Sequence, residues 1–246
     1  MNWVKIFIIL IIILAYILLF VKRDNLYIND QIYYSYLDIR DKLRSGDILL
    51  FSCRRTQSLY KKLEYYFRTS FIGSEYGHVG LVLKNGDKLY LVECCLGDNC
   101  AEEDARFLNN YKKGGVRIIS LDKLIEEYSR ETDATFAIKF ISKEIPWTTV
   151  TQVLKVYKNI TFQNKSWLYF LGTLDVAVSH PLTVHLSNLA DKNKMMCSEF
   201  VHDFLYRCGV LDEYPSRIFW PHLFTDDIFH DLEIVKYSRP YKFMKN

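Results

Sequence analysis

Gly77-His78-Val79-Gly80-Leu81-Val82-Leu83-Lys84-Asn85-Gly86-Asp87-Lys88-Leu89-Tyr90-Leu91-Val92-Glu93-Cys94 reads as two strands folded back on one another. The Val/Leu-rich runs over 78–83 and 88–94 flank a polar Lys-Asn-Gly-Asp, and Asn-Gly between such runs is a strong hairpin signal. The same hairpin carries two groups capable of proton chemistry. His78 opens the first strand with glycine at 77 and 80, which leaves room for close approach of a helix or ligand. Glu93 lies near the end of the second strand.

Outward from the hairpin, Ser45-Gly46-Asp47 is a turn leading into the apolar run Ile48-Leu49-Leu50-Phe51, a further strand. Segment 56–68 has Leu59, Leu63, Tyr66 and Phe67 near helical spacing. Downstream come a helix over 102–111, a strand over 116–119, a helix over 121–129 and a strand over 135–141. Pro146 suits the first position of a helix running to about residue 157. The stretch 159–194 is irregular, with a helix around 168–178. A last helix over 196–208 ends at Gly209. Strands in hairpins with helices to the side indicate an α+β fold with a small antiparallel sheet, not an alternating parallel one.

Half of the 246 residues are apolar, enough for one good core. A net charge of +3 from 32 basic and 29 acidic residues gives no reason to expect nucleic acid as a partner. The 236–246 tail is locally basic, with Lys236, Arg239, Lys242 and Lys245 among aromatics, and reads as a solvated end. Six cysteines, at 53, 94, 95, 100, 197 and 208, are too sparse for a disulfide scaffold and imply a mostly reduced protein. Cys94, Cys95 and Cys100 lack the paired spacing of a zinc site, so neither metal nor cofactor is expected.

The run 6–21 is uncharged and apolar, flanked by Lys5 and by Lys22-Arg23. With Trp3-Val4 it reaches the length of a membrane span, and it lacks the small residues of a signal cleavage site. The expected organisation is therefore a transmembrane anchor over 1–23, a stalk over 24–44, a catalytic domain over 45–235 and the basic tail. That predicts a single-pass membrane protein with the membrane as a partner. Lys22-Arg23 outnumber Lys5 and orient the domain toward the cytoplasm, although the α-amino group narrows the difference. Glycosylation sequons at Asn159 and Asn164 would test that orientation.

Cys197 stands in Met195-Met196-Cys197-Ser198-Glu199-Phe200-Val201, where a lysine-rich stretch becomes an apolar helix. A thiol at a helix start has backbone N–H groups and the positive dipole end beside it, which favour the thiolate. Taken singly, each of the three groups has an ordinary explanation: Cys197 as core, His78 as a satisfied strand histidine, Glu93 as an ion-pair partner. Together they are the parts of a cysteine nucleophile system, with Cys197 attacking, His78 as base and Glu93 orienting the ring. The Cys197 backbone N–H is an oxyanion donor in this reading. Glu199 caps the helix, and His202 faces elsewhere.

Several segments together resemble the permuted branch of the NlpC-type, papain-like cysteine hydrolases. They are Ser45-Gly46-Asp47-Ile48-Leu49-Leu50, Gly77-His78-Val79-Gly80-Leu81-Val82, Leu89-Tyr90-Leu91-Val92-Glu93, Gly115-Val116-Arg117-Ile118, Met196-Cys197-Ser198-Glu199-Phe200-Val201 and Trp220-Pro221-His222-Leu223-Phe224. The histidine and acid strands precede the cysteine helix, as in that branch. The subset it most resembles occurs in bacteria and in large DNA viruses such as poxviruses. The resemblance implies a circularly permuted papain-like fold and supports Cys197, His78 and Glu93 as catalytic. The 35-odd residues before Cys197 match no pattern of that family. The expected protein is thus a membrane-anchored thiol hydrolase acting on a peptide or lipid acyl bond. The alternatives are a lipid acyltransferase or phospholipase on the same machinery, or a non-catalytic membrane-tethered module.

Overall fold

The computed structural model describes residues 34–53, 76–95, 114–131, 134–162, 193–213, 221–225 and 227–245. Its frame is a seven-stranded sheet in a mixed α/β fold. In chain order the elements are β1 (Tyr34–Ser35), α1 (Tyr36–Arg40), β2 (Ile48–Cys53), β3 (His78–Asn85), β4 (Lys88–Cys95) and β5 (Gly115–Ser120). They continue with α2 (Leu121–Glu131), β6 (Ala134–Lys139), α3 (Trp147–Leu154), β7 (Thr161–Phe162), β8 (Lys194–Met195), α4 (Cys197–Arg207), α5 (Asp227–Leu232) and β9 (Tyr241–Met244). The sheet order is β1-β9-β6-β2-β3-β4-β5, antiparallel throughout except for the parallel β1–β9 pair. Strands β7 and β8 form a separate parallel pair.

The expectation of a small antiparallel sheet with an N-terminal transmembrane helix is corrected. Five strands are those read from the sequence; two more come from segments read as stalk and tail. Tyr241–Met244 pairs with β6 and β1, exposed at both ends and buried at Lys242 and Phe243; Phe243 stacks on Phe136 at 5.3 Å and on Tyr36 at 5.9 Å. The end of the tail is thus an inner strand of the sheet and not a solvated end. Likewise Tyr36, Ile39 and Leu43 of the expected stalk are buried. Arg40 and Tyr36 fix this segment to α2 by binding the Asp122 carboxylate.

No helix among the described residues is long and apolar enough to cross a membrane. The membrane anchor, the single-pass localisation and the membrane partner are withdrawn accordingly; the 6–21 run lies outside the described residues, as do the helices expected over 56–68, 102–111 and 168–178.

Strand alternation divides the core into two layers. Ile48, Leu50, Val79, Leu81, Val92, Cys94, Val116 and Ile118 pack with Phe200, Val201, Phe204 and Leu205 of α4. Leu49, Phe51, Val82, Leu91, Ile119, Phe136 and Ile138 pack under α1 and α2. The β3–β4 hairpin closes with Asn85 opposite Lys88 and Gly86 at φ 60°, in the left-handed region that glycine adopts without penalty.

Ser45-Gly46-Asp47 clamps the start of β2. The Ser45 hydroxyl accepts the Lys84 N–H and donates to the Lys84 carbonyl. Asp47 is fully buried and accepts the N–H groups of Arg44 (2.7 Å) and Ile141 (2.8 Å). Burial pushes its carboxyl up to about 7 against the opposing pull of those two bonds.

Gly115 starts β5 at φ 147°, and a Cβ there would sit 2.5 Å from the Ile160 carbonyl oxygen, a backbone atom that cannot swing aside. Gly115→Ala is expected to lower the unfolding free energy by about 1–3 kcal/mol, read from urea denaturation. An unchanged midpoint would show that the 160–161 backbone yields freely.

Candidate active site

His78 is the first residue of β3 and Cys197 the first residue of α4, so both residues stand at element ends. Phe200, Val201, Phe204 and Leu205 pin α4 against β3 and β4 and thereby deliver its N-terminus to the end of the hairpin. Glu199 accepts the Met196 N–H at 2.7 Å, fixing the turn that leads into the helix, as expected of a capping acid. The Cys94 thiol donates to the Met195 carbonyl at 3.3 Å and ties the approach to Cys197 down on β4.

The structure brings the three sequence-identified residues together. His78 Nε2 lies 2.5 Å from Glu93 Oε2. The Cys197 sulfur lies close enough to the His78 ring to favour its protonated form by charge and hydrogen bonding. With Nε2 committed to the carboxylate, Nδ1 is the ring nitrogen left for the sulfur. Phe51, opposite His78 in the β2–β3 ladder, supports the ring at 5.3 Å between centroids. Glu93 is fully buried, whereas about a quarter of the His78 side chain (24%) is open to solvent. The open side of the triad is therefore the imidazole.

Electrostatics favour a charged imidazole. Burial alone would lower His78, but the charges of Cys197 and Glu93, with hydrogen bonds to both, outweigh it and push the ring up to about 10. Burial would raise Glu93, yet His78 and then Arg117 hold it down at about 2. Arg117 belongs to one of the segments that carry the resemblance, but its pairing with Glu93 is not readable from the sequence. It is Glu93's direct cross-strand neighbour in the β4–β5 ladder, and its Nε donates to Glu93 Oε1 at 2.6 Å while a terminal guanidinium nitrogen pairs with the same oxygen. The available signal was a lone arginine in an otherwise apolar strand, Val116-Arg117-Ile118-Ile119.

The remaining cysteines differ in kind. Burial, followed by the charges of Cys197, Glu199 and Glu93, raises the Cys94 thiol well above its ordinary range. Cys208 is pushed up to about 12 by burial. His202 is buried on α4, away from the triad, and burial depresses it to about 4.

No family model matches the chain. Among solved structures, the metalloprotein yiiX from Escherichia coli O157:H7 aligns at TM-score 0.38 and 14% identity, over 67% of this chain and 66% of that one. A likeness that weak bears on neither fold nor chemistry. A curated protein is far more similar: it shares 36% identity over 220 residues, 88% of each chain. On that identity and coverage, the chain belongs to the family of the "Uncharacterized protein R372" of Acanthamoeba polyphaga mimivirus.

Proposed function

We propose that the chain is a thiol hydrolase that cleaves an amide or ester bond through an acyl-enzyme on Cys197. The observation that carries this reading is the unbroken order of sulfur, imidazole and carboxylate: Cys197 to His78, and His78 to Glu93 at 2.5 Å. The base and acid strands precede the nucleophile, as in the permuted NlpC-type hydrolases it resembles, and a mimivirus relative fits the large-virus side of that resemblance.

In the proposed reaction the Cys197 thiolate attacks the substrate carbonyl carbon and a C–S bond forms. The Cys197 N–H, unused within the first turn of α4, faces the developing oxyanion. The His78 imidazolium gives its proton to the leaving amine or alcohol as the C–N or C–O bond breaks. His78 then takes a proton from water, the hydroxide attacks the thioester, the C–S bond breaks, and the acid product departs from a restored thiolate–imidazolium pair. Glu93 holds the ring in the tautomer and orientation this requires.

The test uses the full chain at neutral pH. An electrophilic thiol probe, mapped by peptide mass, is expected to label Cys197 far ahead of Cys208. A panel of activated ester and amide donors is expected to leave an acyl mass on Cys197 that disappears in Cys197→Ser. Equal labelling of Cys197 and Cys208 would end the reading.

A further inference from the structure

We propose that Arg117 is a positioning residue that keeps the Cys197–His78 pair in its charged, reactive form by acting as counter-charge to Glu93. This rests on the hydrolase reading above. The two oxygens of Glu93 are divided between neighbours: Oε2 faces His78 Nε2, and Oε1 takes the Arg117 guanidinium. Glu93 is fully shielded from water and Arg117 is 8% exposed. A carboxylate in such a place is ionised only if paired on each side.

In the reactive form that the hydrolase reading requires, thiolate, imidazolium, carboxylate and guanidinium alternate in charge along the row Cys197, His78, Glu93 and Arg117. Without Arg117, the thiolate, imidazolium and carboxylate of that form carry one net negative charge, and one further proton would neutralise them. That proton goes to the Cys197 sulfur or to Glu93, and either destination dissolves the reactive pair. Among the described residues, Glu199 and Cys94 also lie within electrostatic reach of the site. Glu199 is held by the Met196 N–H at the positive end of α4, and Cys94 is a neutral thiol with a raised pKa. Both are identical in every variant below, so neither produces the predicted pattern.

The experiment is the pH dependence of Cys197 alkylation by iodoacetamide in the full chain, with the adduct quantified on the Cys197 peptide. Arg117→Gln is expected to move the acid limb of the profile upward by roughly one to three pH units. Arg117→Lys, which keeps the charge, is expected to move it less. Glu93→Gln alone leaves Arg117 in excess and is expected to move the limb downward. The double variant Glu93→Gln with Arg117→Gln removes both charges and is expected to return the limb toward wild type.

An unmoved limb in Arg117→Gln, or a double variant displaced as far as that single one, would overturn the proposal, because a packing role is not relieved by deleting the partner's charge. Should Arg117→Gln show no cooperative unfolding, Glu93→Gln decides: an upward or unmoved limb refutes the role. A wild-type Cys197 no more reactive than Cys208 would overturn both this inference and the hydrolase reading. A reactive Cys197 whose limb ignores Arg117 would overturn the inference alone.

Discussion

Replacing His78 by alanine is expected to slow alkylation of Cys197 at neutral pH by about 100-fold or more, with the rate at Cys208 unchanged. The size of the effect follows from what the imidazole does to the sulfur beside it. Charge on Cys197 and Glu93, opposed by burial, keeps His78 protonated up to about pH 10, so at neutral pH the sulfur faces a cation. Alanine removes that cation and leaves the sulfur near the carboxylate of Glu93, where a thiolate is penalised by like charge. Cys208 is the internal control, since burial pushes it up to about 12 and no part of the triad touches it. The sign with pH is also fixed. The imidazolium is present below about 10 and lost above it, so the wild-type advantage over His78→Ala is expected to shrink as pH rises through that value. An advantage that persists unchanged at high pH would mean that His78 acts by packing and not by charge.

The β3–β4 hairpin, the α4 start and the three triad residues were legible because each depends on short-range signals. Asn-Gly fixes a turn, Val/Leu runs fix strands, and a cysteine between a polar stretch and an apolar helical run fixes its own position on a helix. What escaped was whatever depends on long-range pairing. Tyr241–Met244 becomes a strand only because β6 and β1 lie on either side of it and Phe136 is there to stack on Phe243. Arg117 becomes part of the site only through the register that sets it opposite Glu93. Asp47 looked like an ordinary turn residue, and its burial is set by Ile141, 94 positions away along the chain. The candidate site was thus readable as a set of residue types, while its arginine needed the sheet.

Lys139 is the other group that no local pattern betrays, and its replacement by methionine is expected to change how stability responds to pH. The side chain is fully buried in β6; Nζ donates to the Phe224 carbonyl at 2.8 Å and sits 3.8 Å from the centre of the Phe229 ring. These contacts hold the 221–225 turn and α5 against the sheet, but water is excluded. Burial drives the amine down to about 7, with the negative charge of Glu233 offsetting part of the shift. The unfolded chain keeps this proton up to the ordinary value of 10.5, the folded chain only to about 7. Between those values the unfolded state binds more protons, so the Lys139 contribution to stability rises with pH and is smallest below 7. Urea denaturation of wild type and Lys139→Met, pH by pH, cancels the groups they share. The difference is expected to grow in favour of the lysine by about 1.4 kcal/mol per pH unit, approaching about 4 kcal/mol near pH 10. Parallel curves across that range would show that Lys139 enters the core still charged, and that the aromatic ring and the Phe224 carbonyl suffice to hold an ammonium there.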